Sequence, residues 1–325
     1  VRAVFSEQEV QRDGIWLRVR MDRLPPDLAA GWKLHLSAAP AQYTQLLAAA
    51  LPLLRARALP FKLAASLEAL EEINDGRYGL MQVGKALTVY PVDEAQAAEA
   101  AERLSGALAG FDHGPRIPSD SLYRAGAPVY FRFGPYDGRF VVDALGRKQR
   151  LLRHPEYGDV LDGTSGGDAP PPTPECLPQR APYDHLAFLR DDYTIVGVLQ
   201  LTAKGGAFLA VSKAAPNAGI LVIKTAKRGT HSDRFGRDGV WALRREHALL
   251  ERLAGIAGVP ESGALLEDGD EVAALVRPYI EGDTLWELWT AADSRSPAGC
   301  GRQQAVLDSL AGVLRDVHAR GIVVR

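Results

Sequence analysis

The stretch "EYGDVLDGTSGGDAPPPTPECLPQRAP", residues 156–182, constrains the chain more than any other. It is rich in Gly, Pro and Asp, has neither helical nor strand periodicity, and offers no apolar face to bury. The change of character begins at about residue 154. The sequence therefore predicts a partly disordered linker over 154–182. It separates a first domain, 1–153, from a second, 183–325, and 325 residues leave room for both.

Bulk properties exclude several classes. A net charge of −2 and a pI near 6.4 give no basic field for nucleic acid. The longest apolar run, "LLAAALPLL", is too short to span a bilayer, and the opening "VRAVFSEQEV" has no signal-peptide core. Cys176 and Cys300 lie far apart and suggest neither a disulfide framework nor a zinc spacing, which fits a reducing cytoplasm.

Both flanking regions read as α+β, with strands and helices mixed. In the first, alternation predicts strands in "IWLRVRM" (15–21), "WKLHLSA" (32–38), "PFKLAAS" (60–66), "GKALTVYP" (84–91) and "PVYFRFG" (128–134). Segments 41–59, 66–74 and 93–108 have helical composition, with Pro52 expected to end or kink the first. "FDHGPRIPSD" (111–120) reads as a loop and "RFVVDALGRKQRLL" (139–152) as a hairpin. In the second region, three β-rich runs over 193–226 predict an antiparallel meander. A helix follows at 238–255, then a strand and helix start over 271–289. An amphipathic helix over 302–321 carries Val306, Leu310, Val313, Leu314 and Val317 on one face.

"VIK" at 222–224 sets Lys224 at a strand end, and Glu246 lies in the next helix. Residues 193–325 resemble the N-lobe and first large helix of a protein kinase, where such a pair orients nucleotide phosphates. The resemblance implies that Gly205 and Gly206 in "LQLTAKGGAFLA" form the glycine-rich loop, although the full G-x-G-x-x-G pattern is absent. "LVRPYIEGDTL" resembles the hinge, with Arg277, Pro278 and Tyr279 near an adenine. It also implies ATP or another NTP with Mg as the kinase cofactor. Arg325 matches the arginine before the catalytic aspartate. No catalytic-loop Asp, metal-binding Asn or D-F-G follows, so the chain as given is expected not to transfer a phosphoryl group itself. A surface lysine is the bland reading of Lys224.

The first region has a second peculiarity. The chain contains eight lysines among 38 basic residues, and only Lys33, Lys62, Lys85 and Lys148 precede residue 180. Where arginine is the default cation, a lysine invites a reason, because a crowded lysine can lose its proton and an arginine effectively cannot. Three of the four lie in apolar alternating runs free of carboxylates. In "WKLHLSA", Trp32, Leu34 and Leu36 face a core, while Lys33, His35 and Ser37 face the other way. Arg116 and Arg132 add to the cations. Such a set suits a small dianion, most simply phosphate. A desolvated lysine serves as a base near neutral pH, and a histidine beside phosphate serves as an acid. Together they suit β-elimination of a phosphorylated side chain, with another lysine stabilising the enolate-like charge and no cofactor.

The pattern resembles the phosphothreonine lyases of bacterial effectors. More fully, it resembles the N-terminal lyase and adjoining kinase of class III and class IV lanthipeptide synthetases, on "GWKLHLSA", "PFKLAAS", "GKALTVYP", "GPRIPSD" and "PVYFRFG" in order, with a kinase after the linker. That resemblance implies an effector-lyase-like first domain with a central sheet and flanking helices. Lys62 would be the general base, His35 the general acid and Lys33 the enolate stabiliser, with Lys85, Arg132 and Arg116 binding phosphate. No metal is implied at this lyase site. The partner would be a leader-bearing precursor peptide whose Ser and Thr the kinase phosphorylates, and a cyclase beyond this chain would add thiols across the dehydro residues. Two other readings remain open: a kinase-type regulator with a non-catalytic binding domain, and a peptide-docking scaffold. His35 as a satisfied sheet histidine and the lysines as solvated strand faces belong to those readings.

Overall fold

The computed structural model describes residues 1, 4–111, 114–162, 172–179, 183–233, 235–290 and 296–323. The chain is α+β and divides into two compact units. The first comprises Val1–His185 with Thr202–Lys204 and Lys227–Gly239; the second comprises Leu186–Leu201, Gly205–Ala226 and Val240–Arg325.

The first unit is built on a seven-stranded, fully antiparallel sheet. In chain order its strands are β1 (Val10–Asp13), β2 (Trp16–Val19), β3 (Ala30–Leu36), β4 (Phe61–Ala64), β5 (Leu87–Val89), β6 (Ser121–Leu122) and β7 (Val129–Pro135). Their spatial order is β1-β2-β4-β5-β3-β7-β6. Helices α1 (Tyr43–Ala56), α2 (Leu67–Asn74) and α3 (Glu94–Ala107) supply the core's other wall. Ser66 and Asp93 cap α2 and α3, each accepting a backbone N–H of the first turn. Pro52 does not end α1, which continues to Ala56.

One sheet face explains itself by hydrophobic burial. Leu34 and Leu36 of β3, Phe61 and Leu63 of β4, and Leu87 and Val89 of β5 pack with Leu46 and Leu54 of α1 and Leu104 of α3. Each such side chain contributes about 1.5–3 kcal/mol on removal from water. The alternation read in "WKLHLSA" is therefore that of a strand with its apolar side in the core. Its other side is not solvated: Lys33, His35 and Ser37 are buried as well.

Strands β8 (Phe140–Val142), β9 (Lys148–His154) and β10 (Gly158–Leu161) form a second sheet, ordered β10-β9-β8, and β9 lies against β3 and β7. The expected hairpin over 139–152 is β8 and β9. The sheet also corrects the linker boundary at 154. Gly158–Leu161 pairs with His154–Leu151 in register, so the start of the Gly/Pro/Asp-rich stretch is strand. Gly158 has φ +72°, which lets a glycine close this turn where a larger residue would be strained. The remainder of the linker expectation includes 163–171 and 180–182, which lie outside the described residues, as does Arg325.

The second unit holds a five-stranded sheet of β11 (Tyr193–Leu201), β12 (Gly206–Ser212), β13 (Leu221–Lys227), β14 (Ala264–Asp268) and β15 (Val272–Pro278), ordered β11-β12-β13-β15-β14. The first three form an antiparallel meander. Helix α4 (Gly239–Arg252) packs Val240 and Leu243 against Ala273 and Leu275, and α5 (Leu285–Thr290) and α6 (Pro297–Ala319) follow. On the apolar face of α6 only Val317 is buried, and Leu310 is exposed.

Candidate active site

Strand register gathers the cations. Arg18 of β2 faces Lys62 of β4, Lys62 faces Thr88 of β5, Thr88 faces His35 of β3, and His35 faces Tyr130 of β7. Directly opposed residues share a sheet face, so these five form one row. Two residues along, on the same face, Lys33 opposes Arg132. Lys62 and His35 are thus two strands apart, roughly 10 Å between backbones, with Thr88 between them. Side chains of this length can converge on one small group across that gap.

Lys62 carries its ammonium end 4.0 Å from the centre of the Trp16 ring. Burial, then the neighbouring charges of Lys85, Arg150 and Arg18, pull its pKa from 10.5 down to about 7. That places its proton exchange near neutrality. Lys33 donates to the backbone carbonyl of Pro135 and lies 5.3 Å from the Tyr90 ring and 5.5 Å from the Tyr136 ring. Tyr136 is itself held by hydrogen bonds to the carbonyls of Trp32, 3.1 Å, and Pro91, 2.6 Å. Burial and the charges of Arg132, Lys62, Lys85 and Arg150 lower the Lys33 pKa well below its usual value.

His35 uses Nδ1 to meet the buried carboxylate of Asp120. Burial, with Lys85 and Lys33 beside it, lowers its pKa to about 3 against the opposing pull of Asp120. Burial alone would raise Asp120, but Lys85 and His35 together hold its carboxyl well below the usual range. The pair is a neutral imidazole donating from Nδ1 to an ionised carboxylate, with Nε2 left as the reactive nitrogen. Burial disfavours the protonated His35 that the sequence predicts beside phosphate. Lys85 reaches the same carboxylate, 3.7 Å to Asp120 Oδ1, and Ser119 Oγ at 3.4 Å. Burial lowers its pKa too.

Asp120 is brought in by its loop. Ser37 Oγ donates to the Pro115 carbonyl, 2.7 Å, and Asn74 bridges the Ala38 carbonyl and the Gly84 N–H. Gly84 has φ +80°, and a Cβ there would stand 2.6 Å from the Pro115 oxygen, so the approach needs glycine. Within "GPRIPSD" the sequence reading selected Arg116 and passed over Asp120. Arg116 makes a different contact, with its guanidinium carbon 4.1 Å from the centre of the Tyr183 ring.

Arg132 is on the predicted face, but it is engaged. Its guanidinium forms hydrogen bonds of 2.9 and 2.8 Å to both carboxylate oxygens of Asp162. Asp162 lies in the stretch read as linker, and Arg150 and Arg18, which act electrostatically on Lys62, lie in segments read only as hairpin and strand. Their alternation carries no mark that separates them from the other arginines. No group of three His, Cys, Asp or Glu side chains able to hold a metal occurs among the described residues.

In the second unit Lys224 and Glu246 form an ion pair of 2.5 Å, about one-third exposed. Gly205 and Gly206 are accounted for otherwise. A Cβ on Gly205 would stand 2.0 Å from the Thr225 carbonyl oxygen, and one on Gly206 would stand 2.6 Å from the Phe208 ring. The Gly206 N–H is already bound to Thr225 Oγ1 at 2.9 Å. Close packing against β13, with that amide occupied, fits poorly with a loop that offers free N–H groups to phosphate.

The family model described as RamC, N-terminal domain, matches residues 1–181, more than half of the chain. The probable SapB synthase of Streptomyces coelicolor (strain ATCC BAA-471 / A3(2) / M145) is 30% identical over 338 residues. That match covers 95% of this chain and 34% of the relative, so the chain spans about a third of its length. A solved structure described as giving insight into the enzymatic mechanism of a phosphothreonine lyase is 18% identical. It covers 38% of this chain and 63% of its own, at a TM-score of 0.31, too distant to carry an argument. On the family match, the chain belongs to the RamC N-terminal domain family.

Proposed function

We propose that the first unit is a phosphoserine/phosphothreonine lyase of lanthipeptide biosynthesis, acting on a precursor peptide. The observation that carries this reading is the row in which Lys62 and His35 flank Thr88, with Lys33 and Arg132 beside it on the same buried face. The relative's name, a synthase, agrees with a biosynthetic role.

The chemistry follows from the charges. A phosphate dianion entering among Lys33, Lys85 and Arg132 works against the burial and the neighbouring cations that keep His35 neutral, so Nε2 takes a proton from water. Neutral Lys62 removes the Cα proton and becomes an ammonium. Lys33 stabilises the negative charge that develops on the substrate carbonyl oxygen. The Cβ–O bond breaks, and His35 gives its Nε2 proton to the departing oxygen. The products are a dehydro residue and hydrogen phosphate, with His35 again neutral and Lys62 protonated. Lys62 then returns its proton to water, which restores the base. These residues supply every proton movement, so the elimination calls for no cofactor.

The second unit is read as a kinase-like N-lobe. The Lys224–Glu246 pair and the placing of α4 between the third and fourth strands support it. Lys224 would hold the phosphates of ATP or another NTP with its Mg, a group that supplies the phosphoryl for the substrate. Gly205 and Gly206 are not assigned to that task. Cys176 and Cys300 are both exposed, which suits a reducing cytoplasm.

Incubation with a phosphothreonine peptide, without ATP or metal, tests the lyase reading. Release of phosphate with formation of dehydrobutyrine supports it; a well-folded protein that eliminates nothing over hours overturns it. The second outcome would leave a peptide-binding domain without lyase activity.

A further inference from the structure

Two of the three cations expected to hold phosphate, Arg132 and Lys85, already feel one carboxylate. A single guanidinium nitrogen of Arg132, Nη2, donates to both carboxylate oxygens of Asp162, at 2.9 and 2.8 Å, and Asp162 is only 5% exposed. The same carboxylate acts electrostatically on Lys85, pulling against the burial that lowers its pKa. A carboxylate that sets both oxygens on one guanidinium nitrogen and acts electrostatically on a lysine presents two oxygens much as a phosphate presents two of its own. The carboxylate does not belong to the sheet that carries the cations. It follows directly on β10, the edge strand of the three-stranded sheet, and its N–H bonds to the Arg150 carbonyl at 2.8 Å. The anion and its cradle are therefore on separate sheets, joined here through the side-chain pair.

We infer that Asp162 is an internal competitor of phosphate: its carboxylate occupies the Arg132 side of the cradle in the free protein, yields it to the substrate phosphate, and reclaims it as hydrogen phosphate leaves. The inference rests on the lyase reading of the same site. It answers a difficulty within that reading. Several cations around a small dianion would hold the product as firmly as the substrate, and a tethered carboxylate weakens both by the fraction of time it occupies the cradle.

Inorganic phosphate is the probe. In Asp162→Asn the apparent dissociation constant for phosphate, measured by calorimetry, falls about tenfold, and so does its inhibition constant against elimination. Phosphate also raises the thermal midpoint of the variant more than that of the wild type, because it supplies the partner that Arg132 has lost. Asp159→Asn removes the same charge from β10 itself, where Asp159 pairs with Arg139 and Arg153. It should leave phosphate affinity unchanged. An equal gain in both variants, or none in Asp162→Asn, overturns the inference. If Asp162→Asn does not fold, a structure of the wild type with phosphate decides: Asp162 parted from Arg132 supports the inference, and an intact pair beside bound phosphate overturns it. A wild type that binds phosphate and eliminates, with Asp162→Asn no tighter, removes only this inference. A wild type that neither binds phosphate nor eliminates removes the lyase reading and the competitor with it.

Discussion

His35 and Asp120, 85 residues apart in sequence, meet through Nδ1 and a carboxylate oxygen at the centre of the first unit. The carboxylate sets the tautomer and leaves Nε2 to face chemistry. Asp120→Asn replaces an acceptor by a group that can donate to the same nitrogen and so favours the wrong tautomer. Elimination from a phosphothreonine peptide should fall on the order of 100-fold in kcat. A smaller change in KM is expected, since the substrate phosphate rests on other residues. Unaltered kcat would reduce Asp120 to a structural partner.

Lys62 sets the pH profile. Its pKa, brought down to about 7 chiefly by burial, means that the amine is charged and inert as a base below that pH. Elimination should therefore rise with pH through about 7 as Lys62 becomes neutral, and decline at higher pH as His35 loses the proton it must give to the departing oxygen. Lys62→Arg should abolish elimination at every pH, because a guanidinium does not give up its proton. A profile with no rising limb, or an active Lys62→Arg, would take the base role from Lys62.

Much of this site was readable from alternation and from the scarcity of lysine. Lys33, His35 and Lys62 lie inside short apolar runs, and a strand's period of two assigns their faces without a structure. Asp120 and Asp162 were not readable in that way. Each acts from outside the regular strands of its sheet, and its place depends on contacts such as Ser37 with Pro115 or Asp162 with Arg150, which no local period encodes. The Gly/Pro-rich composition that marks a linker also hid β10, because a three-residue reversal at His154–Gly158 followed by a four-residue edge strand needs little apolar content.

Gly205 illustrates a motif whose residue has a different physical reason. A sequence pattern of paired glycines after a strand suggests phosphate, whereas the space shows a backbone approach of 2.0 Å to Thr225 for any added Cβ. Gly205→Ala should destabilise the second unit by about 2 kcal/mol, as overpacking does, read by denaturant unfolding of the full chain. A variant as stable as the wild type but with weakened nucleotide affinity would return Gly205 to the phosphate role.

The buried row also has an energetic cost that a substitution should recover. A lysine whose folded pKa is lowered from 10.5 to about 7 is charged in both states below pH 7, and there the full penalty of burying its charge opposes folding. Between about 7 and 10.5 the folded protein holds fewer protons than the unfolded chain, so this contribution to stability rises with pH. Lys62→Met keeps the stem and its packing on Trp16 while removing the charge. It should stabilise the protein by about 2 kcal/mol at pH 6, below the limit set by the full shift because water relaxes part of the penalty. The gain should shrink at pH 9. Urea unfolding at the two pH values measures both, and a gain that grows with pH would contradict the sign derived for Lys62.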